Sequence, residues 1–128
     1  MKLLLDTHAF LWFVLGDSQL SGPAKSLILD ASNDKHVSPA SYWEAAIKVS
    51  IRKLPLPQPF EVFFEAAIRN NGFLLLPVSL KHAAEVASLP FHHKDPFDRM
   101  LVAQAKVDGM SIVSNDPALD AYGIHRLW

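Results

Sequence analysis

The chain has 128 residues, half of them hydrophobic and 20% charged, with a formal net charge of −1 and no cysteine. That length fits one globular domain, residues 1–128, able to bury roughly two thirds of its unfolded surface without a disulfide or structural metal. The near-neutral charge excludes a strongly basic nucleic-acid binder; the missing thiols exclude cysteine nucleophiles and thiolate metal sites and are compatible with a reducing cytosol.

The chain opens on MKLLLDTHAFLWFVLGD. Lys2–Leu5 reads as a strand buried on both faces, and Asp6 interrupts the apolar run too early for a signal-peptide core or a membrane span. Phe10, Leu11, Trp12, Phe13, Val14 and Leu15 then form an apolar block too dense for one face of a surface helix, shared between the core and a partner surface. Pro23–Asp30 has a helical pattern, and Lys35–Val37 is a weaker strand candidate. Pro39–Ile51 is the next helix, its proline in the first turn where the missing N–H costs nothing. LPLPQP at 54–59 favours an extended connection. Beyond it come a helix at Phe60–Arg69, a buried strand at Phe73–Val78, helices at Leu80–Ser88 and Pro96–Val107, and a buried strand at Ser111–Val113. Strands alternating with helices predict an α/β fold with a mostly parallel central sheet, whose ligands bind beyond the carboxyl ends of the strands.

Four acidic residues have independent reasons to point at that place. Asp6 follows the first strand directly, and Asp116 follows SIVSN after the last one; each is also a plausible turn or cap residue. Glu44 lies in SPASYWEAAIKVSI beside the apolar face defined by Ala40, Ile47 and Ile51. A capping box from Ser41 to Glu44 is the alternative, although Pro39 places the helix start earlier, with Ser38 as the cap. In HHKDPFDRMLVAQA, Asp95 reads as the helix cap before Pro96, whereas Asp98 shares a face with Leu101, Val102 and Ala105. Crowded carboxylates repel one another unless a cation neutralises them, and hard oxygen donors suit Mg²⁺, with Mn²⁺ as a substitute. A bound divalent ion would also let a slightly acidic protein hold a phosphodiester.

LLLDTHAFLW, VSPASYWEAAIKVSIRKLPLP, LPFHHKDPFDRMLVAQA and SIVSNDPAL, in that order and across nearly the whole chain, resemble the PIN-domain nucleases. Within that family the likeness is to the VapC-like toxins of toxin–antitoxin pairs. The resemblance implies a three-layer α/β/α sandwich and a Mg²⁺-dependent ribonuclease site formed by Asp6, Glu44, Asp98 and Asp116, holding one or two ions that activate water for RNA hydrolysis. It implies products with 5′-phosphate and 3′-hydroxyl ends. Thr7, Ser114 and Asn115 fall beside the ligands in such proteins, and Asp95 belongs to the DPFDR signature. A homodimer is also implied, together with an antitoxin whose tail lies in a groove and brings a basic side chain to the carboxylates.

The cations that would meet RNA phosphate are Arg99, Lys48, Arg52 and Lys94, with solvated surface charge or pairing to Glu44 or Asp98 as the competing reading. His92 and His93, adjacent in a proline-bounded loop, are expected to face water rather than to bind metal, and His8 to be structural. A catalytically silent binding module of the same fold is the main alternative function, and the four intact carboxylates count against it. An aspartyl-nucleophile phosphatase would want a second Asp where His8 stands, and a receiver domain would want a phosphoacceptor where the Phe73–Val78 run ends in Pro77-Val78.

Overall fold

Leu3, Leu4 and Leu5 expose no surface at all, and their alternation sets the layers of the molecule. A computed structural model describes residues 1–128. In it, strand β1 (Lys2–Leu5) is the central strand of a five-stranded parallel sheet of order β3-β2-β1-β4-β5. Its neighbours are β2 (Asp34–Val37) and β4 (Ser111–Val113), with β3 (Leu74–Leu75) and β5 (Arg126–Leu127) at the edges. Side chains on a strand alternate between faces. Accordingly, Leu3 and Leu5 join Phe10, Ala24, Ile28 and Phe64 on one side, while Leu4 joins Leu101, Val102, Ile112 and Leu119 on the other.

Helices α1 (Thr7–Leu15), α2 (Gly22–Leu29) and α4 (Phe60–Asn70) supply the first cluster. The second is closed by α6 (Pro96–Asp108), by Leu89 at the end of α5 (Leu80–Ser88) and by a short 3₁₀ helix at Pro117–Tyr122. Helix α3 (Pro39–Ser50) adds Ala45 to the first cluster and packs on both α1 and α6. The result is the expected α/β/α sandwich. Strand order runs outward in both directions from β1, so the sheet's topological switch lies between β1 and β4, where such folds place their ligands.

The dense apolar block of residues 10–15 belongs to α1, a helix the amphipathic pattern does not announce. Ala9, Phe10 and Leu11 are buried, Phe13 and Val14 pack on the same cluster, and Trp12 meets the edge of Trp128 at 5.9 Å. A helix covered on most sides has no polar stripe to reveal its period. Gly16, at φ +67, ends it in a left-handed conformation that a side chain would strain. The Phe73–Val78 run also differs from expectation. Only Leu74–Leu75 pairs with β2, and these are 47% and 55% exposed, so this is an edge strand with an open face rather than a buried one. Strand β5, only two residues long, carries no pattern that sequence could show.

Candidate metal centre

Asp6 leaves the end of β1 and becomes the N-cap of α1, its carboxylate accepting the Ala9 N–H at 2.8 Å. Asp116 follows β4 and caps the 3₁₀ helix, accepting the Ala118 N–H at 3.0 Å. The Asp6 N–H bonds the Val113 carbonyl of β4 at 3.1 Å, so parallel pairing itself brings the two strand ends side by side. In both cases the cap reading and the site reading hold together, because capping fixes the carboxylate where the strands end.

Glu44 and Asp98 come from helices on the two sides of that end. Ser38, not Ser41, caps α3 through the Ala40 N–H. Ser41 is buried and accepts the Thr7 hydroxyl at 3.0 Å, linking α1 to α3 and leaving no capping box for Glu44. One Glu44 oxygen pairs with Lys48 at 3.5 Å, and the other, Oε1, is buried with no partner. A buried carboxylate oxygen without a donor is costly. Asp95 caps α6 by accepting from both Phe97 N–H and Asp98 N–H, as its place before Pro96 predicts, and this turns Asp98 inward in the first turn.

The electrostatics record the crowding. Burial pushes the Asp98 carboxyl up from 3.8 to about 7; Asp95, Asp6 and Glu44 add to the rise and His93 opposes it. Asp6 is likewise raised, mainly by burial, with the Ser114 hydroxyl and Ala9 N–H opposing and Glu44 contributing. Such shifts mean that the protein holds these groups together against their preference for water and for distance. Ser114 is fully buried and accepts the Asp116 N–H, while Asn115 is exposed beside them.

Two expectations need correction. Arg99 is only 6% exposed, and its guanidinium makes five hydrogen bonds: to the carbonyls of Val86, Leu89, Pro90 and His93 and to the Tyr122 hydroxyl. It fastens the 86–93 segment to α6, and with both terminal nitrogens committed inside the protein it presents no fork to a phosphate. His93 does not face water. Its side chain is 19% exposed, and Nε2 lies 2.9 Å from Asp116 Oδ2 and 3.3 Å from Asp98 Oδ2. The clue in the sequence is its position two residues before the cap Asp95, whose N–H its Nδ1 accepts at 3.1 Å. His92 does point outward, edge-on to Tyr122, and exposed His8 stacks on Trp12 and meets Lys48 at 3.4 Å. Lys94 is exposed beside the site, and Arg52 lies two turns beyond Glu44 at the end of α3.

Four carboxylates from four chain segments, one with a buried unpartnered oxygen and two with raised pKa, fit a hard divalent cation. Asp98, Asp116 and His93 offer ligand-type atoms within 4.8 Å of one another. Next to them, Trp43, Phe91, Lys94, Phe97 and Met100 line an open, mostly apolar groove. Trp43 and Phe97, neighbours in sequence of Glu44 and Asp98, meet edge-to-face at 5.1 Å.

Comparison with known proteins places these features in a family. The PIN-domain model matches residues 3–124. No curated protein matches the sequence. Among solved structures, the chain is similar to VapBC2 from Rickettsia felis bound to a DNA fragment from their promoter, with a TM-score of 0.73 at 11% identity, covering 99% of this chain and 98% of that one. It is similar to FitAB bound to the IR36 DNA fragment (TM-score 0.67, 21% identity, 98% and 93% covered). FitAcB from Neisseria gonorrhoeae has the same fold (TM-score 0.65, 19% identity, 98% and 96% covered).

Proposed function

This chain belongs to the PIN-domain family, and on that premise we propose that it is a divalent-metal-dependent endoribonuclease serving as the toxin of a toxin–antitoxin pair. The observation that carries the reading is the convergence of Asp6, Glu44, Asp98 and Asp116 at the sheet's switch point, with a Glu44 oxygen buried and unpartnered. These four residues would hold Mg²⁺, or Mn²⁺ in its place. When bound, the cation supplies charge to offset the phosphodiester and lowers the pKa of the attacking water.

The chain's own groups do the rest. Capping fixes the Asp6 and Asp116 carboxylates, and the Asp95 cap sets the first turn of α6 that carries Asp98, so these groups are organised before substrate arrives. Asp98, whose carboxyl burial pushes up to about 7, would have to give up its proton to hold the cation. Lys94, exposed, and Lys48, which pairs with Glu44 at 3.5 Å, are the cations assigned to RNA phosphate, with Arg52 just past the end of α3. Thr7 and Ser114 support their neighbours through the hydroxyl contacts described above.

The groove lined by Trp43, Phe91 and Phe97 suits the apolar tail of an antitoxin, and Lys94 at its rim suits an acidic residue on that tail. VapBC2, FitAB and FitAcB share this fold, which supports the toxin assignment. Ile47 and the C-cap Ile51, one turn apart, are exposed at the end of α3, supporting a homodimer. No helix is long and apolar enough to cross a membrane.

The test is cleavage of structured RNAs by the purified protein with and without Mg²⁺. The expected result is metal-dependent cleavage that disappears in Asp6→Asn and Asp98→Asn. Full activity in either variant, or none in the native protein across a broad RNA panel, overturns the reading.

A further inference from the structure

We propose that His93 is a positioning residue of the metal centre, a fixed Nε2–H donor that holds Asp98 and Asp116 together without itself binding the cation; the proposal rests on the cation-binding reading above. Its basis is the tautomer that the loop imposes. The Asp95 N–H donates to His93 Nδ1 at 3.1 Å, so Nδ1 must keep its lone pair and the ring proton must sit on Nε2. That proton faces Asp116 Oδ2 at 2.9 Å and Asp98 Oδ2 at 3.3 Å. One N–H thus hydrogen-bonds Asp116, on the loop after β4, while the same nitrogen lies against Asp98, in the first turn of α6.

Direct ligation would need a lone pair on Nε2, and hence a proton on Nδ1 pointing straight at the Asp95 N–H. The two donors would then oppose each other across 3.1 Å. Asp116, the more exposed partner, is held at both oxygens, Oδ1 by Ala118 N–H and Oδ2 by His93. Take the imidazole away and the second oxygen loses its hydrogen bond and faces Asp98 without it. Groups of this kind, one bond removed from the metal, typically change affinity 10–100-fold.

Beyond the Asp95 N–H held by the ring, the loop has anchors of its own. The His93 N–H donates to the Tyr122 hydroxyl at 2.9 Å, and its carbonyl accepts from Arg99. A side-chain variant therefore keeps the backbone path.

The experiment is titration of the full chain with Mg²⁺ alone, and with Mn²⁺ alone, by calorimetry, for the native protein, His93→Ala and His93→Gln. It is combined with nitrogen-15 NMR of the histidine rings before and after Mg²⁺. Expected are Mg²⁺ affinity 10–100-fold weaker in His93→Ala, partial recovery in His93→Gln, which keeps an N–H donor of similar reach, and an Nε2–H tautomer for His93 in both states. Unchanged or tighter binding in His93→Ala overturns the proposal, as does a proton on Nδ1 in either state. A native protein that binds neither ion overturns the metal reading, and this inference with it. Native binding that is indifferent to the variants overturns the inference alone.

Discussion

Asp98→Asn is expected to make the cation-free protein more stable above pH 7 while destroying its metal affinity. The carboxyl ionises near 3.8 in water but near 7 in the fold. A folded-state pKa above the unfolded value means that the native protein holds the proton more tightly, so stability falls as pH rises from about 3.8 through 7 and the full penalty persists above 7. At 1.36 kcal/mol per unit the bound is about 4 kcal/mol. The side chain is 26% exposed, and solvent screening reduces this to ~2 kcal/mol. For a domain of this size that is about 5–8 °C in Tm. Thermal unfolding of both proteins without divalent ions, at pH 4.5 and pH 8, reads it directly. The Asn variant should melt higher at pH 8 and nearly level with the native protein at pH 4.5. An equal or lower Tm for the variant at pH 8, or a gap that does not change with pH, refutes the argument that Asp98 is held ionised at a cost.

The same group links metal to protons: Mg²⁺ affinity should rise about tenfold per pH unit below 7 and flatten above it, with proton release visible as a buffer-dependent heat of binding. A pH-independent affinity would disprove the coupling. Arg99→Met strips the donors from four loop carbonyls and should cost about 3 kcal/mol in urea unfolding; a loss under 0.5 kcal/mol would show that water replaces them freely. His82, 3% exposed, closes a capping box with Ser79 and bonds Asp108 at 3.1 Å, tying α5 to the end of α6. His82→Ala should therefore lower stability by ~1–2 kcal/mol and leave Mg²⁺ binding unaltered.

What sequence could show followed from how local each cause is. β1, β4 and α5 match their expected bounds, and the helices beginning at Pro39 and Pro96 start where proline and its cap require. Asp6 and Asp116 stand directly after strands and Asp98 on a buried helix face, positions local enough to read; Glu44 was placed beside Ile47 and Ile51, which the structure leaves exposed, and it is Ala40, Ser41 and Ala45 that α3 buries. α1 escaped because a helix covered on most sides leaves no stripe, and β5 because two residues carry no period; β3 was read as a longer, buried strand because an apolar run does not show that its outer face stays open. His93 and Arg99 were misread for the opposite reason to the aspartates. The ring of His93 meets Asp116, 23 positions away. Arg99 finds its carbonyl acceptors 6 to 13 residues back along the chain and the Tyr122 hydroxyl 23 residues ahead. Neither partner set leaves a periodic trace, although the three- and four-residue spacing of Arg99 from buried Val102 and Ala103 was a clue to its inward direction.

The pairing of β1 with β4 also has a consequence in time. Leu3 registers with Ser111, so the central contact of the sheet joins nearly opposite ends of the chain, and its closure is among the slowest and most entropically costly steps available to this topology. Asp6 and Asp116 become neighbours only when that step is complete. A chain still being made, or one whose last segment has come loose, has three of the four carboxylates and no common place for them. On the metal reading, the site is complete only once β1 and β4 have paired, rather than growing as the elements form.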